Sequence, residues 1–180
     1  MNKLKKIELT SMGDNDIKTY YPNARIITYP ELKNYNTIEE LLPTNKSYCF
    51  LLYLQTPNSG HWTLLSNNNN VIEFFCSYGS TPLTPLNWTN NNVKEQLGMN
   101  IPYLDILLSN TKKNVIYNPI DYQNKRNLDI STCGRHCLCR LNSIIDDDLK
   151  LNNYYKLISS IKKKSNKTYD EIVASLVQKL

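Results

Sequence analysis

The chain has 180 residues, a formal net charge of +5, 41% hydrophobic and 21% charged residues, which suits one globular domain over 1–180 and excludes two large ones. Thirteen Tyr, three Phe and two Trp are more aromatic surface than a disordered tail carries. The modest positive excess favours polyanions or acidic partners and says nothing about fold.

No apolar run approaches the ~20 residues of a bilayer span, and the opening Met1-Asn-Lys-Leu-Lys-Lys-Ile-Glu lacks the apolar core of a signal peptide, so an intracellular protein away from membranes, not a secreted one, is expected. Residues 25–29, stopped by Pro30, form a weak edge-strand candidate. Thr37 caps a short helix with Glu in its first turn. The run Cys49-Phe-Leu-Leu-Tyr-Leu-Gln55 fits a strand buried on both faces. Residues 62–65 and 71–75 read as the arms of a hairpin around a loop at 67–70, giving a central, mostly antiparallel sheet. Residues 114–117, stopped by Pro119, add a second edge candidate. From Cys133 onward Cys137, Leu138, Leu141, Ile144 and Ile145 recur at helical spacing, with Ser131 or Thr132 available as the cap. Helices over 153–161 and 168–180 follow, so the class is α+β.

Cys49, Cys76, Cys133, Cys137 and Cys139 are an odd set without a secretory signal, which points to free thiols. Cys133 stands at the start of a predicted helix, where orphan N–H groups and the helix dipole favour the thiolate that attacks a carbonyl. Gly134 lets a substrate backbone approach that sulfur. Cys137 and Cys139 fall inside the helix and read as small buried hydrophobes. His61 enters a strand behind a Gly-containing loop, a place where bases are mounted, although a hydrogen-bonded loop histidine fits the same position. His136 lies one turn after Cys133 and is a rival base. It ranks second, because a base on the nucleophile's own helix approaches the leaving amine from the wrong side. The spacing of Cys133, His136, Cys137 and Cys139 matches no common zinc pattern, and no metal is expected.

Gly-His-Trp at a strand start, Phe74-Phe-Cys-Ser-Tyr-Gly79 at the end of the next strand, then a Gln, then Thr-Cys-Gly-Arg-His opening a helix together resemble the adenovirus-protease-like (adenain-like) cysteine peptidases, nearest in wording to the virophage, Polinton and giant-virus branch. The resemblance implies a papain-like fold of the adenain type, with the nucleophile at the N-terminus of a helix on the sheet. It makes Cys133 the nucleophile, His61 the general base and Gln123, the one Gln in the right stretch, the oxyanion donor. Gly134 and Trp62 join Gln123 as contacts to the substrate backbone.

The departure is Cys76, which stands where the family normally has Asp or Glu, with Asn in some relatives. A thiol accepts hydrogen bonds weakly and does little to fix the imidazole tautomer. Glu73, three residues earlier on a strand, points to the opposite face and cannot substitute. Either a Cys/His dyad suffices, or another acceptor fills the place, or activity is lost; the first is favoured, because thiols need less activation than hydroxyls.

The expected function is a cysteine endopeptidase that cleaves viral capsid or core proteins at Gly-containing sites during virion maturation, acting as a monomer in the virion or viral factory. The alternatives are a ubiquitin-like-protein peptidase on the same fold and a catalytically inactive scaffold that binds capsid or DNA. No cofactor is required by the sequence. Double-stranded DNA is admitted as an activator by the resemblance and by Lys112-Lys113, Lys125-Arg126 and Lys162 to Lys164, though such runs are usually solvated faces.

Overall fold

A computed structural model of the chain describes residues 2–178. Five strands form one mixed sheet in sequential order: β1 (Ile26–Thr28), β2 (Ser47–Thr56), β3 (Ser59–Asn68), β4 (Val71–Phe75) and β5 (Asn114–Tyr117). The β2/β3 and β3/β4 pairs are antiparallel, as the hairpin pattern predicts. Both edge pairs, β1/β2 and β4/β5, are parallel. The sheet is therefore mixed, with antiparallel pairing in its centre as expected and parallel pairing only at its short edges, since alternation reports which face is buried and not strand direction. Parallel neighbours need long crossovers. The first contains a 3-10 turn (Tyr29–Asn34) and α3 (Ile38–Leu41); the second contains α4 (Leu83–Leu86), α5 (Asn91–Leu97) and α6 (Tyr103–Asn110).

The loop expected at 67–70 shrinks to two residues. β3 continues through Asn68, and the turn is made by Asn69 (φ 51°) and Asn70 (φ 65°). Asn tolerates this left-handed region better than other side chains, and two such residues in a row suit the tight hairpin turn whose twist matches the strands.

Helices cover both faces of the sheet. On one face α7 (Cys133–Ile145) and α8 (Leu151–Ser165) meet Trp62, Glu73 and Phe75, with α9 (Tyr169–Leu176) packed on those helices: Cys137 Sγ lies 3.6 Å from the Trp62 carbonyl, Arg140 forks onto Glu73 with two bonds of 2.7 Å, and Phe75 packs against Tyr154. On the other face Tyr53 and Phe74 meet the rings of Tyr29 and Tyr117, and the Tyr29 hydroxyl accepts the Leu104 N–H of α6. One buried cluster joins the two faces through β2, β3 and β4.

Thr37 and Thr168 cap α3 and α9 as the sequence predicts. At α7 the expectation fails: Thr132 occupies the cap position, but its hydroxyl donates to Asp170 instead of accepting from the helix, and the Ser131 N–H is held by the Glu8 carbonyl. The helix expected over 168–180 ends at Leu176, and residues 179–180 lie outside the described residues. Two helices ahead of the sheet, α1 (Lys3–Leu9) and α2 (Asp14–Tyr20), and the three in the second crossover have no counterpart in the sequence reading. They are short, and too few of their apolar positions repeat to show a period. None of the described helices is long and apolar enough to cross a membrane.

Candidate active site

A cleft of about 790 Å³ opens where the start of β3 meets the start of α7, and it is lined by His61, Trp62, Gln123 and Cys133 together. These are four of the six candidate site residues. Cys133 is the first residue of α7, and among the five free cysteines it alone is not fully buried.

His61 is delivered by the β2/β3 hairpin. Gly60, one residue earlier, packs so tightly across the hairpin that a Cβ there would sit 1.9 Å from the Tyr53 carbonyl oxygen, so only glycine permits this register. The imidazole is 4% exposed. Tyr78 stacks on it with centroids 4.9 Å apart, Trp88 closes on it edgewise at 5.0 Å, and its Nε2 lies 3.3 Å from Cys76 Sγ. Burial first, and the nearby His136 second, lower its pKa to about 3.

Cys76 therefore lies against the imidazole, beside His61 as the sequence pattern puts it. Burial pushes its thiol up to about 11, against hydrogen bonds from the backbones of Tyr78 and Ser80 and from the Ser80 hydroxyl. Gly79, whose φ of +63° suits glycine, folds the 76–79 turn against Ile120, where a Cβ would come within 2.8 Å of backbone. Glu73 faces away and is engaged by Arg140, which excludes it as a partner for His61.

Burial also raises the Cys133 thiol above its ordinary range. The backbones of Trp62, Gly134 and Cys133 itself and the Arg135 charge act in the opposite direction without overcoming it. Desolvation therefore works against the thiolate that the backbone groups at the helix start favour, and the net direction is toward the neutral thiol.

Gln123 reaches the cleft because the 121–123 segment pairs with the turn after β4. Tyr78 bridges Asp121, and the Gln123 N–H donates to the Ser77 carbonyl at 3.0 Å. Its side-chain oxygen accepts the Ser77 hydroxyl at 2.8 Å and its Nε2 donates to the Ile130 carbonyl at 3.1 Å. A primary amide carries two N–H bonds, so one remains outside these contacts.

Gly134 and Trp62 contact the chain itself. A Cβ at Gly134 would meet Met12 at 3.2 Å and the Trp62 ring at 3.3 Å, and the Trp62 indole donates to the Met12 carbonyl at 2.8 Å. Both residues pack against Met12 beside Cys133. His136 does not line the cleft. It is fully buried, its Nε2 lies 3.0 Å from Asp170 Oδ1, and the same carboxylate accepts Thr132 Oγ1 and the Asn124 N–H. Burial alone would raise Asp170; these bonds and the His136 charge outweigh it and hold the carboxyl below its usual range. His136 is thereby a tie between α7 and α9 and not the facing base.

Nothing in the sequence points to Asp170, Trp88 or the 10–13 segment as parts of this neighbourhood, because each arrives from a distant element. Tyr78, in the Ser-Tyr-Gly motif, could have been found there. Among the described residues no group of three or more His, Cys, Asp or Glu is placed to hold a metal ion.

Over 178 residues the chain is 33% identical to a protein of the Sputnik virophage, Uncharacterized protein V9, an alignment that covers 98% of this chain and 99% of that one. No family model and no solved structure matches the chain.

Proposed function

The chain belongs to the virophage protein family of Sputnik V9, and from its cleft we propose that it is a cysteine endopeptidase with a papain-like fold of the adenain type. The observation that carries this reading is the meeting, in one cleft, of a part-exposed thiol at a helix start and a buried imidazole whose Nε2 is already engaged by Cys76. That engagement leaves Nδ1 as the ring nitrogen for Cys133.

With both groups neutral at rest, His61 acts as a general base during attack. The Cys133 sulfur bonds to the scissile carbonyl carbon as its proton passes to the imidazole. The oxyanion is held by the Cys133 N–H and the second amide hydrogen of Gln123. The imidazolium returns the proton to the leaving amine, the C–N bond breaks, and water then hydrolyses the thioester with His61 again as base.

The proposed substrates are virophage capsid or core proteins. The test is co-expression of wild type or Cys133→Ala with those proteins, followed by sequencing of new N-termini. Cuts made by wild type and absent with Cys133→Ala support the reading; identical N-termini in both refute it. The thiol at position 76 and the raised Cys133 pKa favour one second reading, an inactive scaffold, for which capsid binding would be unchanged by Cys133→Ala.

A further inference from the structure

The stretch between Gln123 and Cys133 contains no helix or strand, and its middle is exposed at Lys125, Arg126 and Leu128. Its own backbone pattern therefore does not set the distance from the proposed oxyanion donor to the nucleophile. One buried carboxylate ties its two ends. Asp170, on α9 and 2% exposed, divides its oxygens between them: Oδ2 accepts the N–H of Asn124, the residue after Gln123, at 3.0 Å, and Oδ1 accepts the hydroxyl of Thr132, the residue before Cys133. His136 Nε2 lies 3.0 Å from the same Oδ1, while its buried Nδ1 has no partner among the described residues, so Asp170 is the ring's one polar tie. The Gln123 amide reaches the Ile130 carbonyl inside this stretch, so the side chain goes where the stretch is pinned. Three donors meeting two oxygens require a group that only accepts, which a carboxylate is and an amide is not. Thr132 stands at the cap position of α7 without capping it. With its hydroxyl turned to Asp170, the first-turn N–H groups, that of Cys133 among them, are left without a side-chain cap.

We propose that Asp170 is the positioning residue of the oxyanion site: it sets the spacing between the Gln123 amide and the Cys133 N–H, and by engaging Thr132 it keeps the start of α7 open to an anion. The inference rests on Cys133 as the nucleophile and Gln123 as the oxyanion donor. It adds a residue that touches neither the substrate nor the reacting atoms and acts through its neighbours in sequence to both.

The test compares two reactions of the Cys133 sulfur, followed by mass spectrometry. With p-nitrophenyl acetate the sulfur bonds to the carbonyl carbon, the carbonyl oxygen takes up the negative charge, and p-nitrophenolate leaves as the thiol proton passes to His61. With iodoacetamide the sulfur displaces iodide and loses its proton, and no oxyanion forms. Asp170→Asn and Thr132→Val are expected to slow acetylation roughly tenfold and to leave alkylation within about twofold, while Thr132→Ser, which keeps the hydroxyl, matches wild type. A contact that only stabilised the fold would slow both reactions together. An acetylation-to-alkylation ratio unchanged in Thr132→Val overturns the proposal, whether or not Asp170→Asn folds. A ratio that Gln123→Ala leaves unchanged overturns the oxyanion reading beneath it, and an iodoacetamide rate at Cys133 indifferent to His61→Ala overturns the nucleophile reading; neither result involves Asp170.

Discussion

His61 Nε2 and Cys76 Sγ lie 3.3 Å apart in a buried pocket, so one ring nitrogen of the imidazole faces a thiol. The backbones of Tyr78 and Ser80 and the Ser80 hydroxyl direct hydrogen bonds at the same sulfur. A group surrounded by donors is placed to accept, and accepting from Nε2–H leaves Nδ1 free to take a proton. The position is thus built for an acceptor, and a carboxylate would fill the role more strongly. Cys76→Asp is expected to preserve or raise turnover, and Cys76→Ala to lower it about tenfold, near the value of a hydrogen bond to a charged group. A large loss in Cys76→Asp with the fold intact would show that the thiol does something a carboxylate cannot.

The pH dependence of stability follows from the same imidazole. Its pKa falls from 6.5 to about 3 on folding, because burial and then His136 disfavour the charged form. A depressed histidine stabilises the folded state fully above the unfolded pKa. That contribution is lost as pH falls from about 6.5 toward 3. The unfolding temperature is expected to drop over this window, and more steeply than in His61→Asn, which has nothing to protonate there. Trp88→Ala, which opens the edge of the ring, should move the His61 titration seen by NMR up toward 6.5.

The glycine before the base is a steric requirement. A Cβ on Gly60 would lie 1.9 Å from the Tyr53 carbonyl oxygen and 2.7 Å from its carbon, both backbone atoms that cannot turn aside. Gly60→Ala is expected to destabilise the fold by about 3 kcal/mol, in the upper part of the range for single substitutions, and to displace His61. Urea unfolding measures the first effect and Cys133 alkylation the second.

Under the sheet, Arg140 and Glu73 form a buried two-bond pair, with Arg140 also donating to Ser143 Oγ and the Leu149 carbonyl. Removing one partner leaves a buried charge unpaired, so Glu73→Leu alone should cost about 3–5 kcal/mol. Replacing both by apolar residues should cost less. A double-mutant cycle by urea unfolding gives the coupling.

What the sequence disclosed and what it withheld have separate physical reasons. The continuous apolar run of β2, the hairpin arms and the helix from Cys133 were legible because burial imposes a period, and Thr37 and Thr168 because capping is local. The parallel edges were not legible, since a strand's own pattern carries no record of its partner's direction. Four of the six candidate site residues line the cleft, with Cys76 in contact with His61 and Gly134 packed against Met12. The helix start at Cys133 can be read from position, whereas the desolvation that raises its thiol depends on burial by the rest of the fold. Asp170, which ties His136 and Thr132 to α9, was hidden for the same reason.

The most direct test of the account is the rate of iodoacetamide alkylation at each cysteine against pH, by mass spectrometry, in wild type and His61→Ala. Exposure alone makes Cys133 the fastest, so the ratio between the two proteins at that residue decides. His61→Ala is expected to slow Cys133 by at least about tenfold near pH 7, the scale of general-base assistance, and to leave Cys49, Cys137 and Cys139 unchanged. Equal rates at Cys133 in the two proteins would contradict the account.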